Sequence, residues 1–263
     1  MDLWELLAAS ALAVLIYVTL IWALSVLLRN AGIVDIFWGP GFVLVALVYL
    51  LLADGFEGRR VLVAALVAVW GLRLGAYIFW RNRGKGEDYR YRRWRERAGD
   101  GFWWRSYFQV FLLQGALLWV ISAPLLAAEY NQDPGHFTPL DGIGALVWCV
   151  GFFFESVGDW QLARFKSDPA NKGKVMRGGL WAYTRHPNYF GDATVWWGLY
   201  IIAAGTTDGW LTVFAPLLMT GLLVRGSGVA LLERTITERR PEYADYVAST
   251  SAFIPWFPRR ARR

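Results

Sequence analysis

Seven stretches of this chain are apolar over lengths that match a bilayer, and that constrains the fold more than any other feature. They run roughly over residues 3–28, 33–53, 60–80, 106–128, 140–163, 189–204 and 209–232. Crossing a hydrocarbon core takes about 20 helical residues, so the sixth lies near the lower limit and has room for little tilt. Of the 263 residues, 56% are hydrophobic, 17% aromatic and only 18% charged, whereas a soluble domain carries about 25% charged residues. The sequence therefore predicts an all-α integral membrane protein with seven transmembrane helices. The opening Met1-Asp2-Leu3-Trp4-Glu5 lacks the basic region of a secretory signal, so the first apolar run reads as a span and not as a cleaved leader.

Loop charge sets the orientation. Segment 81–105 contains Arg81, Arg83, Lys85, Arg90, Arg92, Arg93, Arg95, Arg97 and Arg105 against Glu87, Asp88, Glu96 and Asp100. Segment 164–188 contains Arg164, Lys166, Lys172, Lys174, Arg177 and Arg185 against Asp168, and the tail ends Arg259-Arg260-Ala261-Arg262-Arg263. Segments 129–140 and 205–208 carry acids and no Lys or Arg. Basic and acidic segments alternate as seven spans require, which predicts the N-terminus outside and the C-terminus in the cytoplasm. In segment 54–60, Asp54 and Glu57 offset Arg59 and Arg60, and that loop decides nothing. The net charge of +6 thus belongs to membrane topology, and no nucleic-acid motif accompanies it.

The run from Gly178 to Asp192, Gly-Gly-Leu-Trp-Ala-Tyr-Thr-Arg-His-Pro-Asn-Tyr-Phe-Gly-Asp, is a polar segment wedged between two spans. Arg185, His186, Asn188 and Asp192 bring charges and donors to the edge of a bilayer, where ionisable groups are costly and mark a functional site. A plainer reading makes Arg185 and His186 headgroup anchors with Pro187 opening a helix, but an anchor has no need of Asn188 and Asp192. With the predicted topology, the other odd residues fall in the same leaflet: Asp35, Arg73, Tyr77, Gln109, Gln114, Glu155, Asp159, Arg225 and Glu233. Arg73 with Tyr77, and Glu155 with Asp159, lie four apart and share helical faces. A transport path would leave polar groups in both halves and near the midplane. A one-sided polar chamber suits an enzyme that takes a soluble cofactor from the cytosol.

Several chemistries are excluded. Cys149, the one cysteine, sits in an apolar run and reads as a small core residue, so disulfides and Cys nucleophiles do not arise. His136 and His186 alone cannot build a multi-histidine metal site. No glycine-rich strand–turn–helix fingerprint exists for a Rossmann-type dinucleotide site. Lys166, Lys172, Lys174 and Arg177 suit nucleotide phosphates, or form a solvated positive-inside loop. Glu87-Asp88-Tyr89-Arg90-Tyr91 offers hydrogen-bonding and stacking groups, or forms a salt-bridged turn. The tail from Arg239 to Pro258 is amphipathic and aromatic, suited to lie on the membrane surface and to cover the cytosolic opening.

At this point a resemblance emerges. Gly178-Gly179-Leu180-Trp181, Tyr183, Arg185-His186-Pro187-Asn188-Tyr189-Phe190-Gly191-Asp192 and Arg240-Pro241-Glu242-Tyr243…Tyr246…Phe253-Ile254-Pro255 resemble the steroid 5α-reductase superfamily, most closely its bacterial DUF1295 branch. The resemblance implies a single-domain reductase of a bacterial inner membrane with its site facing the cytoplasm. Residues 1–130 would form the substrate side and residues 131–263 the half that binds NADPH. The positions it carries over as cofactor contacts are Asp159, Lys166, Lys174, Asn188, Asp192 and Arg225, with Arg185, His186, Glu233, Tyr243 and Tyr246 beside them. The superfamily's substrate-polarising acid corresponds to Asp35, with Tyr77 as the nearest candidate for the partner tyrosine. Its His and Tyr of the last span are Val229 and Glu233 here.

The expected reaction is hydride transfer from NADPH to the C=C bond of a lipophilic enone, with membrane lipid around the protein and Asp35 or Tyr77 polarising the carbonyl. Two alternatives stand beside it. Isoprenylcysteine and phospholipid methyltransferases, which use S-adenosylmethionine, share the Arg-His-Pro-x-Tyr core; they usually show paired glutamates after the last span, where this chain has Glu233-Arg234. The other is a non-catalytic lipid-binding or transport protein.

Overall fold

The structure is a computed structural model that describes residues 1–226 and 243–258. Among these residues every regular element is helical, and one isolated parallel bridge pairs Thr184 with Ser251. Runs Leu3–Leu28, Ala31–Leu52, Glu57–Asn82, Tyr89–Tyr130 and Pro139–Ser167 are long and apolar enough to cross a membrane. The sixth and seventh apolar stretches correspond to shorter helices, Pro187–Ala204 and the segments from Gly209 to Gly226. The rest of the seventh stretch, with Val229, and Glu233 just after it lie outside the described residues.

The chain divides into two compact units. The first comprises residues 1–138 and 203–212 and contains α1 (Leu3–Leu28), α2 (Val34–Leu52), α3 (Glu57–Asn82) and α4 (Tyr89–Ala98). It continues through α5 (Phe102–Ser106), a π-helical stretch Tyr107–Leu112, α6 (Leu113–Ile121) and α7 (Ala123–Tyr130). Helices α2 and α3 meet backbone to backbone: a Cβ added to Gly39 would lie 2.4 Å from the Gly71 carbonyl oxygen. Small residues are how membrane helices gain contact, because lipid tails are as apolar as leucine and no hydrophobic force separates helix from lipid. Pro40 interrupts the hydrogen-bond ladder of α2 without ending the helix, as membrane helices allow when a neighbour covers the freed carbonyl. Gly75 of α3 is that neighbour, since a Cβ there would stand 3.0 Å from the Ile36 oxygen. The fourth apolar stretch is not one straight helix, because Pro124 opens α7 and the turn at Ser122 breaks the run before it.

Glu129 lies inside the first unit, fully buried, and neither carboxyl oxygen has a hydrogen-bond partner among the described residues. Near it, Ser10 accepts from Tyr49 and from the Trp119 indole, both at 3.0 Å.

The second unit comprises residues 139–202 and 213–263, described to the limits given above, and includes α8 (Pro139–Ser167), α9 (Pro187–Ala204) and α10 (Phe214–Gly221). Helices α8 and α9 pack along a glycine seam. Added Cβ atoms on Gly144 and Gly151 would come within 2.6 Å of the Gly198 oxygen and 2.5 Å of the Val195 nitrogen. Gly158 continues the seam, where a Cβ would stand 3.1 Å from the Pro187 ring. Pro187 is the first residue of α9, where its missing N–H costs nothing and its fixed φ favours the helix. Cys149 is exposed on α8, not a core residue: it neighbours the outward positions Leu146, Val150 and Phe153 on the face opposite the glycines.

Candidate active site

In the first unit the polar residues gather at the start of α2. Asp35 lies in its first turn. The Tyr91 hydroxyl donates to Asp35 Oδ1 at 2.8 Å, and Arg90 Nη2 donates to Oδ2 at 2.9 Å. Gln114 Nε2 donates to the Tyr91 oxygen at 3.5 Å, so the phenol is held from both sides. Tyr91 is the one buried residue of α4, a helix otherwise crowded with arginine. Asp88 caps that helix, accepting from the Arg90 backbone N–H and from Arg90 Nε, both at 2.9 Å. Burial opposes ionisation of Asp88, but its hydrogen bonds with Arg90 and the guanidinium charge prevail and hold the carboxyl below the usual carboxylate range. Glu87 ties the same segment down: Oε1 accepts from the Ala31 backbone at 2.7 Å and from Arg95 Nη2 at 2.8 Å. The 87–91 segment is therefore salt-bridged, and it also carries a buried phenol to the mouth of a span.

Tyr77 has other surroundings. The guanidinium carbons of Arg73 and Arg81 lie 5.3 and 5.7 Å from its ring centroid, and the Trp80 ring is 6.1 Å away. The Arg73–Tyr77 pair shares a face, as its spacing required.

In the second unit the glycine seam ends at a polar pair. Asn188, in the first turn of α9, donates from Nδ2 to Asp159 Oδ1 of α8 at 3.1 Å. Asn188 Oδ1 is buried and has no hydrogen-bond partner among the described residues. A buried acceptor left this way costs about 1–3 kcal/mol, which a ligand N–H would recover. Glu155 and Asp159 are both buried on the seam face of α8. On either side of it, the Trp181 indole donates to the Gly158 carbonyl at 3.1 Å, and Gln161 Oε1 accepts from the Leu180 N–H at 3.0 Å.

Arg185 clamps the tail. Its backbone N–H donates to the Ser251 carbonyl at 2.9 Å, while Nη1 donates to the carbonyls of Val247 at 2.9 Å and Thr250 at 2.6 Å. Thr184 Oγ1 donates to the Phe253 carbonyl at 2.8 Å, and the Trp256 N–H to the Tyr183 carbonyl at 2.9 Å. Buried Tyr246 donates to the Trp181 carbonyl and meets Tyr243 edge-on, with centroids 5.7 Å apart. His186 is buried and parallel to Tyr189, with centroids 5.5 Å apart.

Of the residues singled out by sequence, the structure thus brings Asn188 together with Asp159. It draws Arg185 and Tyr246 into the junction of the motif with the tail, with Tyr243 beside them. Asp192 is half-buried one turn along α9 from Asn188, whereas Lys166, Lys174 and Arg225 are exposed. Glu233 lies outside the described residues. Tyr91 and Arg90 are the residues that the sequence did not single out as partners of Asp35. One signal was present: Tyr91 and Trp94, three apart, share a face of a helix that is otherwise rich in charge.

The fold and these clusters define an integral membrane protein, all-helical among the described residues, with polar groups assembled at helix ends. A family model described as "Protein of unknown function (DUF1295)" matches residues 21–250, and the chain belongs to that family, within the steroid 5α-reductase-like superfamily. An uncharacterized protein of Schizosaccharomyces pombe is 27% identical over 263 aligned positions, covering 89% of this chain and 75% of its own length. The Delta(14)-sterol reductase ERG24B of Gibberella zeae is 30% identical across 51% of this chain and 35% of its own. Bovine 3-oxo-5-alpha-steroid 4-dehydrogenase 1 is 30% identical across 32% of this chain and 30% of its own. The probable O-methyltransferase ustE of Ustilaginoidea virens is 37% identical across 34% and 31%. The chain therefore spans about a third of each of these three enzymes. No solved structure matches it.

Proposed function

We propose that the chain is a membrane reductase that uses NADPH to reduce the C=C bond of a lipophilic, steroid- or isoprenoid-like enone. The observation that carries this reading is the 2.8 Å hydrogen bond from Tyr91 to Asp35, an oriented phenol at the start of a membrane span. Relatives named as steroid and sterol reductases support it. NADPH, when bound, supplies the hydride for the β-carbon of the enone. Tyr91 turns its single O–H from Asp35 Oδ1 to the carbonyl oxygen, where negative charge grows as the enolate forms. Asp35 and Gln114 set the direction of the phenol, and Arg90 fixes Asp35. In this reading the proton-donating role belongs to Tyr91 instead of Tyr77, and Asp35 is a positioning residue.

The cofactor-binding groups lie in the second unit. Asn188 Oδ1 fits a carboxamide N–H donor, with Asp159 orienting the Asn188 amide. Lys166, Lys174 and Arg225 offer cations for phosphates, and Asp192, His186, Tyr243, Tyr246 and Glu233 complete the proposed set. Arg185 acts through the tail that it clamps. We further propose seven spans in a bacterial inner membrane, with the N-terminus outside and these groups on the cytoplasmic side. Cysteine labelling after Cys149→Ser tests that topology; outside labelling of loop 164–188 would end the reductase reading.

The second reading is an S-adenosylmethionine-dependent methyltransferase, supported by the match to a probable O-methyltransferase. Titration of the purified protein with NADPH and with S-adenosylmethionine separates the two. We expect saturable NADPH binding with micromolar affinity, about −8 kcal/mol, and weaker NADH binding for lack of a 2′-phosphate contact. Saturable S-adenosylmethionine binding without an NADPH response would establish the second reading instead.

A further inference from the structure

Helix α8 carries an apolar track on its outer side, and the track runs into a cleft with a cation at its mouth. Ile143, Leu146, Val150, Phe153 and Trp160 are between 44 and 66% exposed. Their spacing of three, four, three and seven puts them on one helical face, about 25 Å long at 1.5 Å per residue. The next position on that face is Arg164, exposed, with its guanidinium 5.6 Å from the Trp160 ring centroid. Beyond it, the chain folds back against the end of α8: Asn171 Nδ2 donates to the Phe165 carbonyl at 3.1 Å. Between them lies a cleft of about 510 Å³, lined by Trp160, Arg164, Phe165, Asp168, Asn171 and Met176 among others.

We propose that this cleft binds the headgroup of an anionic glycerophospholipid, with its phosphodiester on Arg164 and an acyl chain along the track. Three observations support this occupant. The track belongs to a helix long and apolar enough to span a bilayer, so its outward face meets acyl chains along most of its length. A tryptophan with an arginine one turn beyond it is the arrangement that places an aromatic ring at the interface and a guanidinium among phosphates. Arg164 lines the cleft itself, a fixed guanidinium that complements the single negative charge of a phosphodiester. A nucleotide base has no use for the apolar track. The proposal is independent of the reductase reading.

The test uses the full chain in detergent, incubated with equimolar phosphatidylglycerol and phosphatidylcholine of the same acyl length, with retained lipid read by native mass spectrometry. The parent should retain phosphatidylglycerol over phosphatidylcholine by about tenfold, because the choline cation that phosphatidylcholine sets beside the same phosphodiester is repelled by Arg164. Arg164→Gln should bring that ratio close to parity, and Arg164→Lys should fall between, keeping the charge but losing the fork. Trp160→Ala should lower retention of both lipids. Lys172→Gln removes a charge from the same loop outside the cleft and should leave the ratio unchanged. Equal retention of both lipids by the parent, or an unchanged ratio in Arg164→Gln, overturns the proposal. So does loss of the ratio in Lys172→Gln, which would assign the preference to diffuse loop charge. NADPH affinity measured on Arg164→Gln and Trp160→Ala should not move. If Arg164→Gln and Trp160→Ala weaken NADPH as much as lipid, the cleft belongs to the cofactor and the lipid proposal falls.

Discussion

Tyr91 and Asp35, 56 residues apart in the chain, meet through a 2.8 Å hydrogen bond in which the phenol donates to Oδ1. Arg90, the neighbour of Tyr91, takes the other carboxylate oxygen, so one short segment grips both oxygens of the acid. A surface salt bridge would need only the arginine. The added phenol, buried and oriented, gives the cluster a group that can share a proton.

Tyr91→Phe removes that group and little else. It should bind NADPH as the parent does and lose on the order of 10²-fold or more in enone reduction, the usual contribution of a positioned proton donor. Asp35→Asn keeps an acceptor for the phenol and should lose less. NADPH oxidation with a panel of enones provides the readout; parental turnover by Tyr91→Phe would remove the phenol from the mechanism and return attention to Tyr77.

Asn188→Ala deletes the buried acceptor at the end of the glycine seam together with the bond to Asp159. Cofactor affinity should fall by about 1–3 kcal/mol, measured by fluorescence titration in detergent. Unchanged NADPH affinity in both Asn188→Ala and Asp192→Ala would mean that the cofactor groups lie elsewhere.

Arg185→Ala leaves the Val247 and Thr250 carbonyls without their guanidinium donor. The loss should be about 2–4 kcal/mol of stability, as expected for two hydrogen bonds from a charged group. Limited proteolysis should then cut near the helix Tyr243–Ser249 sooner than in the parent. A variant with parental melting and parental cleavage would show that the clamp carries no stability.

Glu129→Met exchanges a buried carboxyl for an apolar side chain of similar length. Because neither oxygen has a hydrogen-bond partner among the described residues, the change should stabilise the protein by about 1–3 kcal/mol. Thermal unfolding in detergent reads it directly, and a lower Tm would mean that the carboxyl is engaged in the folded protein.

Asp88 sets the response of the 87–98 segment to acid. Its carboxyl is held below its ordinary value in the folded chain, so its contribution is complete above the unfolded pKa of about 4 and is lost as pH falls through the folded value. Protection of Tyr89–Ala98 from hydrogen exchange, with the intrinsic pH dependence divided out, should therefore fall on acidification, and Asp88→Ala should be poorly protected already at neutral pH. Equal exchange in both proteins at neutral pH would rule out the cap as the source of order.

How much of this was legible in sequence depends on the kind of contact. The first apolar run, 3–28, is the helix Leu3–Leu28, because a bilayer imposes length and polarity that composition displays directly. Helix α4 was not legible, since its arginines read as loop charge; its Asp88 cap and Gly99 stop were the available signals. Asn188 and Asp159 both stood out as polar groups in apolar surroundings, and the structure joins them. The clamp was hidden, because Arg185 reaches main-chain carbonyls, which every residue has and no side chain advertises. The pairing of Tyr91 with Asp35 was hidden for another reason: it joins a charged segment to a span more than 50 residues away, and spacing along the chain says nothing about such a contact. Cys149 looked interior by hydrophobicity alone, yet helical phase turns it outward with Leu146 and Val150.

The glycine seam has a mechanical consequence. Where Gly151 meets α9 the nearest atoms are main chain, and where Gly158 meets it they include the rigid Pro187 ring, so the two helices have little room to slide past each other by small rotamer adjustments. The pair behaves as a single stiff strut. A bilayer that thins or thickens will tilt both helices together before it shears them, and the Asn188–Asp159 contact at the end of the strut keeps its length while its surroundings move. Alanine at Gly151 would act as a wedge instead, prising the strut open at its middle and displacing a polar pair two turns away without touching either member.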